Sequence, residues 1–230
     1  MGIILFIGIA LVSWLVQMNL NRKFKKYSKI PLGNGMTGKD VAEQMLRENG
    51  IYDVKVVATT GILTDNYNPT NHTINLSESV YLSDSVAAAA VAAHETGHAI
   101  QHATAYAPLK MRSALVPVVS FSNQWVTWVI LGGIFLMTVS QKLGFTVTLL
   151  GVGLFAMLTL FSFITLPVEI DASKRAVAWL SKAGITNSYN DAAARDALKA
   201  AAYTYVVAAL GSLATLVYYI MLLVGGGRRN

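Results

Sequence analysis

Four long apolar runs punctuate the chain, at about residues 2–20, 115–139, 143–166 and 203–224, with polar stretches between them. A helix needs roughly 20 apolar residues to cross about 30 Å of hydrocarbon. The first, third and fourth runs meet that length throughout. The second is mixed: its opening half, PVVSFSNQWVTWV, carries Asn123 and Gln124, while Trp125 and Trp128 have the character of interface anchors. That helix is expected to start in a protein-covered or wet region and only then enter lipid. The first run has no basic residue ahead of its apolar core and no convincing cleavage site, so it reads as a retained anchor.

The polar stretches carry shorter periods. MTGKDVAEQMLRENG (36–50) has helical spacing, with Thr37 placed to cap it and Gly50 to end it. YDVKVV (52–57) alternates and predicts a strand. ILT, DNYNPTN and HTINL predict strand, turn and strand in succession. SDSVAAAAVAAHETGHAIQHATAY (83–106) predicts one long helix with Ser or Asp at its start. The expected fold is mainly α and integral to the membrane, with about four transmembrane helices and a small α+β domain containing a short sheet. In chain order these are an N-terminal anchor (1–20), a first part of the polar domain (21–114), a two-span hairpin (115–166), a second part of that domain (167–202) and a C-terminal transmembrane helix (203–230).

Composition sharpens this. The 230 residues are 54% hydrophobic and 13% charged, against about 25% charged in an ordinary globular domain. Mean hydropathy is +0.49. There is no cysteine, so a transition metal would have to rest on His, Asp or Glu. The net charge is +6, and Arg22, Lys23, Lys25, Lys26, Lys29 and Lys39 follow the first span closely. Beside a membrane such a cluster sets orientation and touches anionic lipid; a nucleic-acid partner is not expected. Of the 18 Lys and Arg, Lys142 lies between spans two and three and Arg228 and Arg229 at the C-terminus; the other fifteen fall in 21–114 and 167–202. Positive charge marks the cytoplasmic side, which predicts a multi-pass protein of the cell membrane with its polar domain in the cytoplasm and both chain ends outside.

Chemistry concentrates in AAHETGHAIQH (92–102). Residues four apart share a helix face, about 6 Å apart along the axis, so His94 and His98 can place two imidazoles on one zinc ion. Glu95 is one step round the helix, placed to take a proton from a metal-activated water without binding the metal. This is the HExxH arrangement. The apolar stretch ahead of His94 is too short to cross a bilayer, so the helix is expected to lie buried in protein near the membrane surface. Gly97 either leaves room at the metal or lets another backbone approach.

Three protein ligands and one open position define a catalytic zinc. His102 lies about 12 Å from His94 along a continuous helix, too far for the same tetrahedral ion. His72, in a predicted turn, reads as structural or exposed. The remaining donors are in TLPVEIDASKRAVAWL (165–180), where Pro167 marks the start of a helix headed by Glu169 and Asp171. Two apart, these carboxylates face different ways, so one of them is expected to bind. Asp171 can pair with Arg175 at i+4; Glu169, with Ser173 at i+4, is the freer.

HETGH, VEIDASKRA after two spans, and the LTDNYNPTNHTINLSESVY block ahead of them resemble the YugP-type membrane zinc metallopeptidases, over nearly the whole chain. The wider resemblance is to membrane gluzincins such as the prenyl-protein endopeptidases and the heat-shock-type membrane peptidases. It implies a zincin-like catalytic domain with one Zn2+ per chain, and a third ligand in an ExxxD pattern, which falls on Glu169. Ser173 stands where that pattern has Asp; a hydroxyl can still hydrogen-bond a histidine ring.

The implied function is a membrane-embedded zinc-dependent endopeptidase acting on membrane-associated or tethered polypeptides, with water activated by zinc and Glu95. His102, Ser173 and Arg175 are candidates to orient a ligand or to steady the developing oxyanion. HTINL could be an edge strand that pairs with an extended substrate, with Tyr67 and Asn71 near it. The rival is a membrane scaffold or binding protein with a non-catalytic zinc site, which would have no use for Glu95. A metal transporter fits poorly, because the four spans hold no ionisable residue in their cores.

Overall fold

The structure, a computed structural model, describes residues 2–61 and 64–226. Its elements in chain order are α1 (Gly2–Tyr27), α2 (Gly38–Glu48), β1 (Lys55–Thr59), β2 (Asn66–Asn68), β3 (Thr73–Ser77), α3 (Glu78–Tyr81), α4 (Val86–Ala103), α5 (Ala107–Leu136), α6 (Gln141–Lys182) and α7 (Asp191–Gly226). The protein is thus mainly α, with one small sheet. Among the described residues, α1, α5, α6 and α7 are long and apolar enough to cross a membrane.

Each of these four helices outruns its apolar run. The α1 helix continues through the basic stretch to Tyr27, since Arg and Lys are good helix formers once a helix is under way. The α5 helix begins at Ala107, ahead of its apolar run. Pro167 does not start a helix; it lies inside α6, which runs unbroken to Lys182. Proline removes one backbone hydrogen bond, and long membrane helices tolerate this where neighbouring groups satisfy the freed carbonyl. Arg228 and Arg229 lie outside the described residues.

The chain divides into two compact units. Among the described residues, the first comprises 2–13, 111–166 and 205–226. Its surface is apolar, with Ile3, Trp128, Phe135 and Leu150 more than half exposed, as lipid-facing residues are. Small residues bring its helices close. A Cβ on Gly133 would meet the Thr148 backbone, and one on Gly151 would crowd Ile130. The Phe6 ring meets the Tyr218 ring edge-on, with centroids 5.6 Å apart.

The second unit comprises Trp14–Lys110 and Pro167–Thr204. Its centre is α4, whose alanines at 87–90, 92 and 93 are all essentially inaccessible to solvent. A helix that is small and apolar all round can be surrounded on every side. Here it is packed by α2, the short α3 and the sheet. Val41, Met45, Ile74, Leu76, Val80 and Leu180 fill the space around it. Caps fix the ends. Thr37 accepts from the Asp40 N–H while Asp40 accepts from the Thr37 N–H, a capping box opening α2, and Ser85 accepts from the Ala88 N–H to open α4. Gly50 follows α2 with φ +71°, the left-handed turn expected of it.

The sheet has the order β1-β3-β2, with β1 parallel and β2 antiparallel to β3. Three expectations are corrected by it. The strand expected at 52–57 lies at Lys55–Thr59. The second strand is Asn66–Asn68, within residues expected to turn; of the expected ILT strand, Ile62 and Leu63 lie outside the described residues and Thr64 is not in a strand. HTINL is not an edge. It forms the central strand β3, hydrogen-bonded on both sides, because Ile74 and Leu76 are fully buried and demand the middle position.

Candidate metal centre

The alanine run makes α4 helical, and helix periodicity places His94 and His98 one turn apart, with ring centroids 4.8 Å from each other. What meets them is the stretch of α6 just beyond Pro167. That approach depends on Gly97. A Cβ there would stand 2.8 Å from the Ala172 carbonyl oxygen and 3.1 Å from its Cα, so the two backbones cross where a side chain would hold them apart. Of the two readings of Gly97, the structure has the close backbone approach.

The crossing brings Glu169 to the histidines. Its Oε2 is 3.2 Å from His94 Nε2 and 3.6 Å from His98 Nε2. One ligand atom from each of the three residues lies within 4.8 Å of the others. Glu169 is 2% exposed, in a place where a carboxylate needs a cationic or metal partner. Ligand atoms on a single tetrahedral zinc stand about 3.3 Å apart, and the donor set is two imidazoles and one carboxylate, so the residues fit that ion.

The opposite nitrogen of each ring is also held. His94 Nδ1 is 3.1 Å from Ser173 Oγ, and His98 Nδ1 is 3.0 Å from Gln101 Oε1. With Nδ1–H donating to these oxygens, each Nε2 presents its lone pair toward Glu169. Gln101 is fully buried and its amide nitrogen donates onward to the Val168 carbonyl at 2.8 Å and to Asp171 Oδ2 at 2.9 Å. Asp171 in turn accepts from Arg175 Nε at 2.6 Å. Asp171 is therefore tied to Gln101 and Arg175. Burial by itself would lower the His98 imidazole, but the Glu169 and Glu95 carboxylates and Gln101 outweigh it and raise its pKa above the ordinary histidine value.

The other residues singled out from the sequence fall as follows. Glu95 is buried, acts electrostatically on His98, and has no hydrogen-bond partner among the described residues. Arg175 lies 5.9 Å from the Tyr106 ring centroid besides binding Asp171. His102 is exposed, its Nδ1 2.8 Å from the Tyr67 hydroxyl on β2. His72 pairs with Asp53 at 2.7 Å, at a positive φ of 53° between β2 and β3. Gln101 is the residue that sequence reasoning missed. The available signal was a long polar side chain at i+3 from a candidate ligand histidine, on the same helix.

Comparison with known proteins gives one relative and one family. A protein of Bacillus subtilis (strain 168) named "Putative membrane protease YugP" is 39% identical over 219 residues, which cover 95% of each chain. No solved structure matches significantly. The profile of a family described as "Putative neutral zinc metallopeptidase" matches residues 2–224. A match of that extent, on a chain that gathers two histidines and a glutamate into a metal-sized cluster, places this protein in the neutral zinc metallopeptidase family.

Proposed function

We propose that the protein is a membrane-embedded, zinc-dependent endopeptidase, with one zinc held by His94, His98 and Glu169 and with Glu95 as general base. The observation that carries the reading is the convergence of three ligand atoms from two helices within 4.8 Å. A zinc ion bound there supplies a Lewis acid that polarises a peptide carbonyl and lowers the pKa of water to about 7. Ser173 and Gln101 keep the two imidazoles in one tautomer and one orientation. Glu95, buried and unclaimed by any described hydrogen-bond donor, is free to take the proton of the attacking water and return it to the departing amine. His102 is the better candidate to steady the oxyanion, because Arg175 is already committed to Asp171.

The substrate is a polypeptide bound extended. With β3 closed on both sides, the edge available near the histidine helix is that of β2, which packs against α4. Main-chain bonds along β2 would hold the substrate beside the site. The membrane setting, and a relative named as a membrane protease, support substrates that are membrane proteins or tethered peptides. The charge distribution supports a cytoplasmic site.

Glu95→Gln is the deciding variant. It is expected to retain zinc and to lose about a hundredfold or more of wild-type cleavage of an unstructured protein such as casein. Unchanged cleavage rejects Glu95 as the base. A zinc-replete wild type that cleaves nothing in such assays favours the scaffold reading.

A further inference from the structure

A groove of about 550 Å³ opens between α6 and α7, away from the sheet and its edge strand. Its rim carries four exposed cations, Lys174 and Lys182 from α6 and Arg195 and Lys199 from α7. Among the described residues no carboxylate lines it. Arg195 is paired, with Asp191 at 3.1 Å, whereas Lys174, Lys182 and Lys199 make no ion pair among the described residues. Its floor is apolar, with Val177 and Leu198 buried between the rims. Lys182 has the Glu48 carboxylate in its field, which leaves Lys174 and Lys199 as two cations over apolar side chains, and these want an anion that also carries hydrocarbon.

The order of these residues along the helices says which kind. The two helices are joined by residues 183–190, so they run antiparallel, and both continue as apolar spans. Ile170 lies one turn past Leu166 on α6, and Ala202 about one turn before Tyr205 on α7, so the end of the groove nearest the apolar runs is uncharged. Lys174 and Lys199 come about one turn further, roughly 5–6 Å on. Lys199 also lies 5.9 Å from the ring centroid of Tyr203, an aromatic of the kind found at headgroup level. Lys182 and Arg195 close the far end. Hydrocarbon side first, paired cations next: this is the sequence of groups in an anionic phospholipid standing in its own bilayer. We propose that the α6–α7 groove is a binding site for such a lipid, with its phosphate between Lys174 and Lys199.

The test is direct lipid binding by the purified full chain in neutral detergent, titrated with dioctanoyl phosphatidylglycerol and read by native mass spectrometry. It does not depend on hydrolysis. Wild type is expected to bind this lipid about tenfold or more tightly than dioctanoyl phosphatidylcholine. Lys174→Gln with Lys199→Gln should weaken the anionic lipid about tenfold or more, Lys174→Arg with Lys199→Arg should restore it, and Arg47→Gln with Lys55→Gln, two exposed cations away from the groove and from the basic stretch after α1, should change it less than threefold. If the double Gln variant fails to fold by circular dichroism, each single Gln substitution is expected to weaken binding about fivefold. Equal binding of the two lipids, equal loss in the Arg47 and Lys55 variant, or displacement of the lipid by glycerol phosphate or an acidic peptide at matched concentration would each overturn the proposal.

Discussion

Two ring nitrogens decide how the site works at the level of single residues. A histidine binds metal through one nitrogen, and the other must be held so that the lone pair points inward. In the proposed site Ser173 and Gln101 would do this for His94 and His98, and the Gln101 amide is itself held by Asp171 and the Val168 carbonyl. A graded series of zinc affinities follows. Glu169→Ala removes a proposed ligand and should abolish stoichiometric zinc. Gln101→Leu keeps the bulk but frees the His98 ring, and should weaken zinc about 10–100-fold. Asp171→Ala acts one bond further out and should cost less than Gln101→Leu. Zinc content and competition with a chelator give the order, and zinc retained in Glu169→Ala but lost in Asp171→Ala would remove Glu169 from the ligand set. The two histidines were legible from spacing alone. Glu169 was separable from Asp171 by the basic neighbour of the latter and by the resemblance to an ExxxD pattern. Gln101 was not legible, because a neutral amide in a helix carries no motif and its role exists only through a segment 67 residues away.

Helices assemble these residues, and one glycine sets how closely. Gly97 lies between His94 and His98 in sequence and at the crossing of α4 with α6. Gly97→Ala would press a methyl group onto the Ala172 backbone, which cannot rotate away as a side chain could. Overpacking of this kind costs about 1–3 kcal/mol and should shift α6 outward, taking Glu169 with it. The expected result is a lowered melting temperature together with reduced zinc content. A variant with wild-type zinc content would show that the crossing tolerates a wider spacing than its contacts imply. At this scale the long helices were readable from apolar length, but their ends were not, since charged residues extend α1 and proline fails to interrupt α6. The last strand was read to within one residue and the first overlaps its expected place, but the second was misplaced for a related reason. Asn66–Asn68 has the polar composition of a turn and is a strand only because β3 lies beside it. Short strands draw their register from partners that local sequence does not name.

At the scale of the whole molecule, the meeting of His94, His98 and Glu169 constrains the topology more tightly than hydropathy does. His94 precedes α5 and Glu169 lies in α6 beyond its apolar run, yet their side chains meet at 3.2 Å. The chain between them must therefore cross the membrane an even number of times. Either α5 and α6 both cross or neither does. Hydropathy alone leaves this open, because α5 is the least apolar of the four helices and carries Asn123 and Gln124, both exposed. If α5 failed to cross while α6 succeeded, Glu169 would be on the opposite face of the bilayer from the histidines and no site could form. Reporter fusions decide the matter. With both crossing, a reporter at residue 30 should be cytoplasmic, one at residue 140 outside, and one at residue 185 cytoplasmic again, as the distribution of Lys and Arg also requires. Residue 140 on the cytoplasmic side with residue 185 would reduce the spans to two and leave the metal centre standing. Residues 30 and 185 on opposite sides would be incompatible with any ion shared by His94, His98 and Glu169.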